Sequence, residues 1–175
     1  AWHAGKLSWK NFKSLNKNSI GIEISNPGHQ FGYKKFSQKQ ITSLIHLSKF
    51  LIKKYKINNK NILGHSDIAP MRKKDPGEKF PWEYLAKNNI GIWHNLDKKK
   101  LSKLRKKKCN LLMKKIFLEN LFKIGYSRFL KENDKLFFVS LIIKSFQRRF
   151  RKELINGTID QECLLISKEL IKLKF

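Results

Sequence analysis

The sequence predicts an α/β domain over residues 1–95 followed by a small all-α three-helix domain over residues 96–175. Three observations carry this expectation. Ser19 to Ser25 alternates Ile20, Ile22 and Ile24 with Gly21, Glu23 and Ser25, the period-two pattern of a strand with one apolar face. Residues 38–55 repeat Ile41, Leu44, Ile45, Ser48, Leu51, Ile52 and Tyr55 at helical spacing. The two parts also differ in composition. All four Trp, all five His and all four Pro fall before residue 96, whereas the remainder is rich in Leu, Ile, Phe and Lys with almost no turn residues.

The elements follow in order. Asn26-Pro27-Gly28 ends the first strand as a turn. Ser37-Gln38-Lys39-Gln40 is a capping box that opens the helix over 38–55. Asn61-Ile62-Leu63-Gly64 reads as a short strand leading into His65. Pro70, Pro76 and Gly77 make Ser66 to Lys79 a long loop, and Trp82 to Asn88 reads as a short helix. Asp97 to Lys108 is a dense basic run, either a linker or a solvated helix with Leu101 and Leu104 on its inner face. Helices are expected over Asn110–Lys123 and from about Asp134 to Arg151. Asn156-Gly157 breaks the chain, and Thr158 to Gln161 forms a second capping box. Behind it Ile159, Cys163, Ile166, Leu170 and Leu173 keep a helical period.

Hydrophobic residues make up 41% of the 175, enough for a core, which excludes wholesale disorder. The net charge of +26 fits a polyanionic partner such as nucleic acid, an anionic membrane surface or an acidic wall. Lys, Ile, Asn and Phe are abundant together, however, so most lysines read as solvated surface that assists adsorption without defining a substrate. No nucleic-acid motif accompanies the charge. The longest apolar runs, Leu136 to Ile143 for example, are too short to span a bilayer. Cys109 and Cys163 lack CxxC spacing and are expected as buried free thiols. The first residue is Ala1, so the chain is either processed or a fragment.

Gly64 to Gly77 (GHSDIAPMRKKDPG) concentrates the chemistry. His65 and Asp75, ten residues apart, could converge on one metal, with His3 and His29 as candidates for a third ligand. From spacing alone an ordinary loop pair is favoured, with Asp67 capping the loop and Arg72 and Lys73 solvated. Glu23 is by itself a surface carboxylate; beside a metal loop it suits a general base. His46 reads as plain surface and His94 as packed near the junction.

Ala1-Trp2-His3-Ala4-Gly5, Asn18 to Ile24, Gly64 to Pro70 with Arg72-Lys73 and Asp75-Pro76-Gly77, and Phe80-Pro81-Trp82 together closely resemble the type 2 N-acetylmuramoyl-L-alanine amidases, zinc enzymes related to phage T7 lysozyme and peptidoglycan recognition proteins. Ile143 to Phe150 and Asn156 to Asp160 are similar to the helical peptidoglycan-binding module of the AmiD-like branch. The resemblance implies a mixed β-sheet flanked by helices in the first part and wall binding by the second. It implies Zn2+ as cofactor, held by His65 and Asp75, with Lys73 and Glu23 as catalytic residues. Trp2, His3 and Ala4 would border the substrate groove. The family's first zinc histidine ends a strand preceding the AWHAG segment; His3 is not its equivalent, so an N-terminally truncated member is expected.

The activity implied is hydrolysis of the amide bond between N-acetylmuramic acid and L-alanine in peptidoglycan or muropeptides. The rival is a non-catalytic peptidoglycan-binding protein of the same fold. The partner expected is peptidoglycan or a muropeptide, with no nucleic acid, no transmembrane segment and a monomeric state. The C-terminal module tilts the expected location toward the cell envelope, periplasmic or outer-membrane associated, over the cytoplasm.

Overall fold

Among the described residues the chain folds as eight α-helices joined by turns and extended segments, with no strand and no sheet. The structure, a computed structural model, describes residues 3, 4, 9, 10, 12, 14–127 and 135–173. The expected mixed sheet is therefore corrected. Residues 19–25 carry no regular secondary structure, and among the described residues no strand pairs with them; the bridges found there are two isolated ones, Trp9 with Phe12 and Lys108 with Asp160. A period-two pattern specifies a face, whereas a sheet also needs a neighbouring backbone. The second expected strand, 61–64, does not form either: a 3-10 turn at Asn59–Asn61, where the Asn58 side chain accepts from the Lys60 amide at 2.8 Å, reaches its first residue, and 62–64 carry no regular secondary structure. Ile20 and Ile22 are accordingly 49% and 39% exposed, and only Ile24 leans on a core.

The helices read from the sequence at 38–55, 82–88, 110–123 and about 134–151 form close to their expected ends, whereas the single turns at Leu15–Asn18 and His65–Ile68 were not expected, the second lying in the segment read as a long loop. Helix α1 is one turn, Leu15–Asn18. Helix α2 spans Gln38–Tyr55, and its capping box is complete: the Gln40 amide donates to Ser37 Oγ at 3.2 Å and the Ser37 amide to Gln40 Oε1 at 2.9 Å. Ser37→Ala should lower stability by about 1 kcal/mol, since two helix-end donors lose their arrangement; urea unfolding followed by circular dichroism measures it. Helix α3 is His65–Ile68 and α4 is Trp82–Lys87.

Beyond residue 95 the described residues form four helices where three were expected. The basic run forms α5, Lys98–Leu104, with Leu101 buried and Asp97 as its cap. Helices α6 (Leu111–Ile124), α7 (Lys135–Phe150) and α8 (Gln161–Leu170) follow. The cap of α8 is Asp160, which accepts from the Cys163 amide at 2.9 Å, and not Thr158 as the sequence suggested. Asp160 wins because a carboxylate at a helix N-terminus also meets the positive end of the dipole.

Two apolar clusters hold these elements. The larger joins Phe117 and Leu121 of α6, Phe146 and Phe150 of α7 and Cys163, Ile166 and Leu170 of α8, and draws in Ala4, Trp9, Leu15 and Ile92 from the first part. Trp9 meets Tyr126 edge-on with ring centroids 5.1 Å apart, and it lies so close to Gly125 that a side chain there would strike the indole. The smaller cluster sets Ile41, Leu44 and Ile45 of α2 against Phe80, Trp82, Leu85 and Ile90. Cys109 and Cys163 are buried free thiols. Ion pairs reinforce α8: Arg105 grips Glu162 through Nε and Nη2 at 2.7 and 2.8 Å, and Arg151 Nη2 lies 3.5 Å from Asp160.

Candidate active site

His65 and Asp75 come together. His65 opens α3 directly after Gly64, and its Nδ1 lies 3.1 Å from Asp75 Oδ2. The Ser66 amide donates to the Asp75 carbonyl at 2.9 Å, which closes the intervening loop. Burial alone would raise the Asp75 carboxyl, but the hydrogen bond from His65, its own amide and the charges of His65 and Lys73 hold it below the usual value. Lys73 is half-buried, and its amide donates to the Ala69 carbonyl at 2.9 Å.

Two ligand atoms on one tetrahedral zinc, each ~2.0–2.1 Å from it, sit about 3.3 Å apart. The observed 3.1 Å between Nδ1 and Oδ2 matches that spacing, and imidazole with carboxylate is a donor set that zinc accepts. The pair thus fits two of the three protein positions of a catalytic zinc. Among the described residues no third His, Cys, Asp or Glu completes such a group.

The loop owes its position to residues far along the chain. Asp67, 2% exposed, accepts from the Gly64 amide at 2.8 Å, as the capping expectation required. It also accepts from Tyr126 Oη at 2.8 Å and forms a buried ion pair with Arg149 Nη1 at 2.6 Å. Ser145 Oγ donates to the Ser66 carbonyl at 2.7 Å. Arg149 Nη2 reaches the Ile62 carbonyl at 3.0 Å, and its guanidinium lies 4.1 Å above the Trp82 ring. Burial, then the nearby Asp67 charge, pushes the Tyr126 phenol well above its ordinary range, so it stays a donor. Gly64 has no room for a side chain between Pro76 and Trp82. Sequence reasoning passed over Tyr126, Ser145 and Arg149 in this role; the one signal was that Ser145 and Arg149 lie in the tail motif.

The other expected residues are placed as follows. Glu23 is exposed in the segment 19–25, and among the described residues no hydrogen bond joins it to His65, Asp75 or Lys73. His3 packs over Gly21, with Nε2 2.8 Å from Ser19 Oγ, and Asn16 Oδ1 accepts from the His3 and Ala4 amides at 2.9 and 2.6 Å. Ala4 is buried in the larger core. Trp2 lies outside the described residues. His29 pairs with Glu78 at 3.0 Å and stacks on Tyr33. Tyr33 Oη donates to the Pro76 carbonyl at 2.7 Å and bolsters the loop end; burial first, then the Glu78 charge, raises its phenol to about 12. His94 is buried against Trp93, where desolvation lowers its pKa, and His46 is exposed.

The helical frame brings the His65 imidazole and the Asp75 carboxylate to 3.1 Å, with the Lys73 charge acting on the carboxyl. Residues 1–78 match the Amidase_2 family, N-acetylmuramoyl-L-alanine amidase. The N-acetylmuramoyl-L-alanine amidase AmiD of Escherichia coli is 36% identical over 98% of this chain, and the chain spans 63% of that relative's length. The 1,6-anhydro-N-acetylmuramyl-L-alanine amidase AmpD of Haemophilus influenzae is 41% identical over 49% of this chain and 46% of its own. Among solved structures, AmiD from E. coli in complex with anhydro-N-acetylmuramic acid-L-Ala-D-gamma-Glu-L-Lys superposes with a TM-score of 0.82 at 36% identity, over 98% of this chain and 68% of that one. AmpDH3 of Pseudomonas aeruginosa gives 0.82 at 32% identity, over 98% and 68%. The chain belongs to the N-acetylmuramoyl-L-alanine amidase family.

Proposed function

We propose that the chain hydrolyses the amide bond between N-acetylmuramic acid and L-alanine in peptidoglycan or muropeptides, with Zn2+ as cofactor. The observation that supports this best is the His65–Asp75 pair at 3.1 Å with the Lys73 charge beside it. The solved relative bound to an anhydro-muropeptide supports the substrate class.

His65 and Asp75 would hold the zinc. When bound, the metal supplies a Lewis acid and lowers the pKa of water toward ~7. The Glu23 carboxylate takes a proton from the attacking water and returns it to the L-alanine nitrogen as the C–N bond breaks, leaving a free carboxylate and a free amine. The Lys73 ammonium faces the lactyl carbonyl oxygen and stabilises its developing negative charge. The segment that carries His3 borders the substrate groove. Residues 1–95 act as the catalytic part and residues 96–175 as a wall-binding part, and the protein works as a monomer at the cell envelope. No helix among the described residues is long and apolar enough to cross a membrane.

Metal analysis joined to a peptide-release assay tests the reading. The full natural chain should hold about one zinc per molecule and release stem peptide from muropeptides. His65→Ala and Asp75→Ala should each lose the metal and the activity together. A protein that binds peptidoglycan but neither holds zinc nor releases peptide would be the non-catalytic binder instead.

A further inference from the structure

The basic run and the start of α6 form a surface that amide hydrolysis leaves unused. Leu111 is 85% exposed and Leu112 65%, side by side on the first turn of α6. The core face of that helix is already supplied by Phe117, Leu121 and Ile124. Lys106, Lys107 and Lys108 precede the two leucines and Lys114 and Lys115 follow, all exposed. Among the described residues none of these five ammonium groups has an ion-pair partner, whereas Arg105 is committed to Glu162.

The turn that carries the lysines is built, not loose. The Gln161 amide donates to the Lys107 carbonyl at 3.0 Å and Gln161 Nε2 to the Lys108 carbonyl at 3.1 Å. The Lys106 amide donates to Asp160 Oδ2 at 3.2 Å, and Lys106 is held at a φ of 64°, a region lysine rarely adopts. The Asn110 side chain caps α6 by accepting from the Met113 amide at 2.9 Å. The backbone is thus pinned to α8 and the side chains face outward.

We propose that this face docks on an anionic lipid bilayer, with Leu111 and Leu112 entering the headgroup–acyl boundary while Lys106, Lys107, Lys108 and Lys115 meet the lipid phosphates. Two adjacent leucines held in water have a favourable destination only in an apolar medium. Lysines around them supply the attraction to anionic headgroups. A nucleic acid or an acidic polymer would use the lysines but has nothing to receive the leucines, and single-stranded nucleic acid is met by aromatic platforms that this face lacks.

The test is co-sedimentation of the full chain with vesicles of phosphatidylcholine alone and with about one third phosphatidylglycerol. Binding to the anionic vesicles, weakened by salt, is expected. With +26 overall, charge alone produces some adsorption, so the leucines decide the matter. The double variant L111S/L112S should partition about tenfold less onto anionic vesicles, with unchanged circular dichroism and melting. The triple variant K106Q/K107Q/K108Q should lose binding to a similar degree. Leu47 and Phe50, exposed on α2, provide the control, and L47S/F50S should bind as the unaltered chain does. The proposal is overturned if no vesicle binding occurs, if L111S/L112S binds undiminished, or if L47S/F50S shows the larger loss. It is equally overturned if duplex DNA competes fully and the leucine variant changes neither, which would make the face a general polyanion surface.

Discussion

Replacing Arg149 with Met should destabilise the chain by about 3–5 kcal/mol, the cost of leaving one partner of a buried ion pair uncompensated. Arg149 and Asp67 are both nearly inaccessible, and their contact is 2.6 Å. Without the guanidinium, the Asp67 carboxylate keeps the Tyr126 hydroxyl and the Gly64 amide, neutral donors in a buried site. The Ile62 carbonyl and the Trp82 face lose a partner as well. Chemical denaturation followed by far-UV circular dichroism measures the effect. Adding Asp67→Asn to Arg149→Met should restore part of the loss, because the stranded charge goes with it. A loss below ~1 kcal/mol for the single variant would show that water reaches the pair. Because Asp67 sits two residues from His65, the same variant should also weaken zinc retention although neither residue is a ligand.

Lys73→Ala should lower turnover of a muropeptide by about 10²–10³-fold, or ~3–4 kcal/mol of barrier, with zinc content and stability unchanged. The reason is position. Lys73 stands two residues before Asp75, is half-buried and acts electrostatically on that carboxyl. A cation so placed is fixed by the loop and does not have to be ordered when charge develops on the substrate oxygen. Lys73→Arg keeps the charge but changes its reach and shape, and should recover only part of the rate. Steady-state kinetics with metal analysis on the same samples separates the outcomes. A fall of less than tenfold in Lys73→Ala removes this residue from the chemistry, and a parallel loss of zinc makes its role structural.

The helices were legible because their signals are local. Gln38–Tyr55 shows a capping box and an apolar stripe within twenty residues, and Leu111–Ile124 shows its stripe behind Asn110. The sheet was misread because residues 19–25 carry a strand's pattern, yet among the described residues no strand pairs with them. Just before the second expected strand, the Asn58 side chain accepts from the Lys60 amide and closes a turn at Asn59–Asn61, and 62–64 follow without a strand. The site was half legible. His65, Lys73 and Asp75 lie within eleven positions, so the loop that gathers them is written in one stretch of sequence, and family resemblance supplied their roles. Asp67, between them, looked like a simple cap, and its buried pairing was invisible.

The sequence by itself determined the helical segments with their caps, the membership of the loop from His65 to Asp75, and the charge of the surface, since each depends on residues close together in the chain. Tertiary structure alone decided what holds that loop. Arg149 lies 82 positions from Asp67, Ser145 79 from Ser66 and Tyr126 59 from Asp67. No periodicity or motif encodes contacts at such separations. They form only when α7 and the end of the α6 segment pack against α3, and burial then turns a surface-type carboxylate into the anchor of the loop.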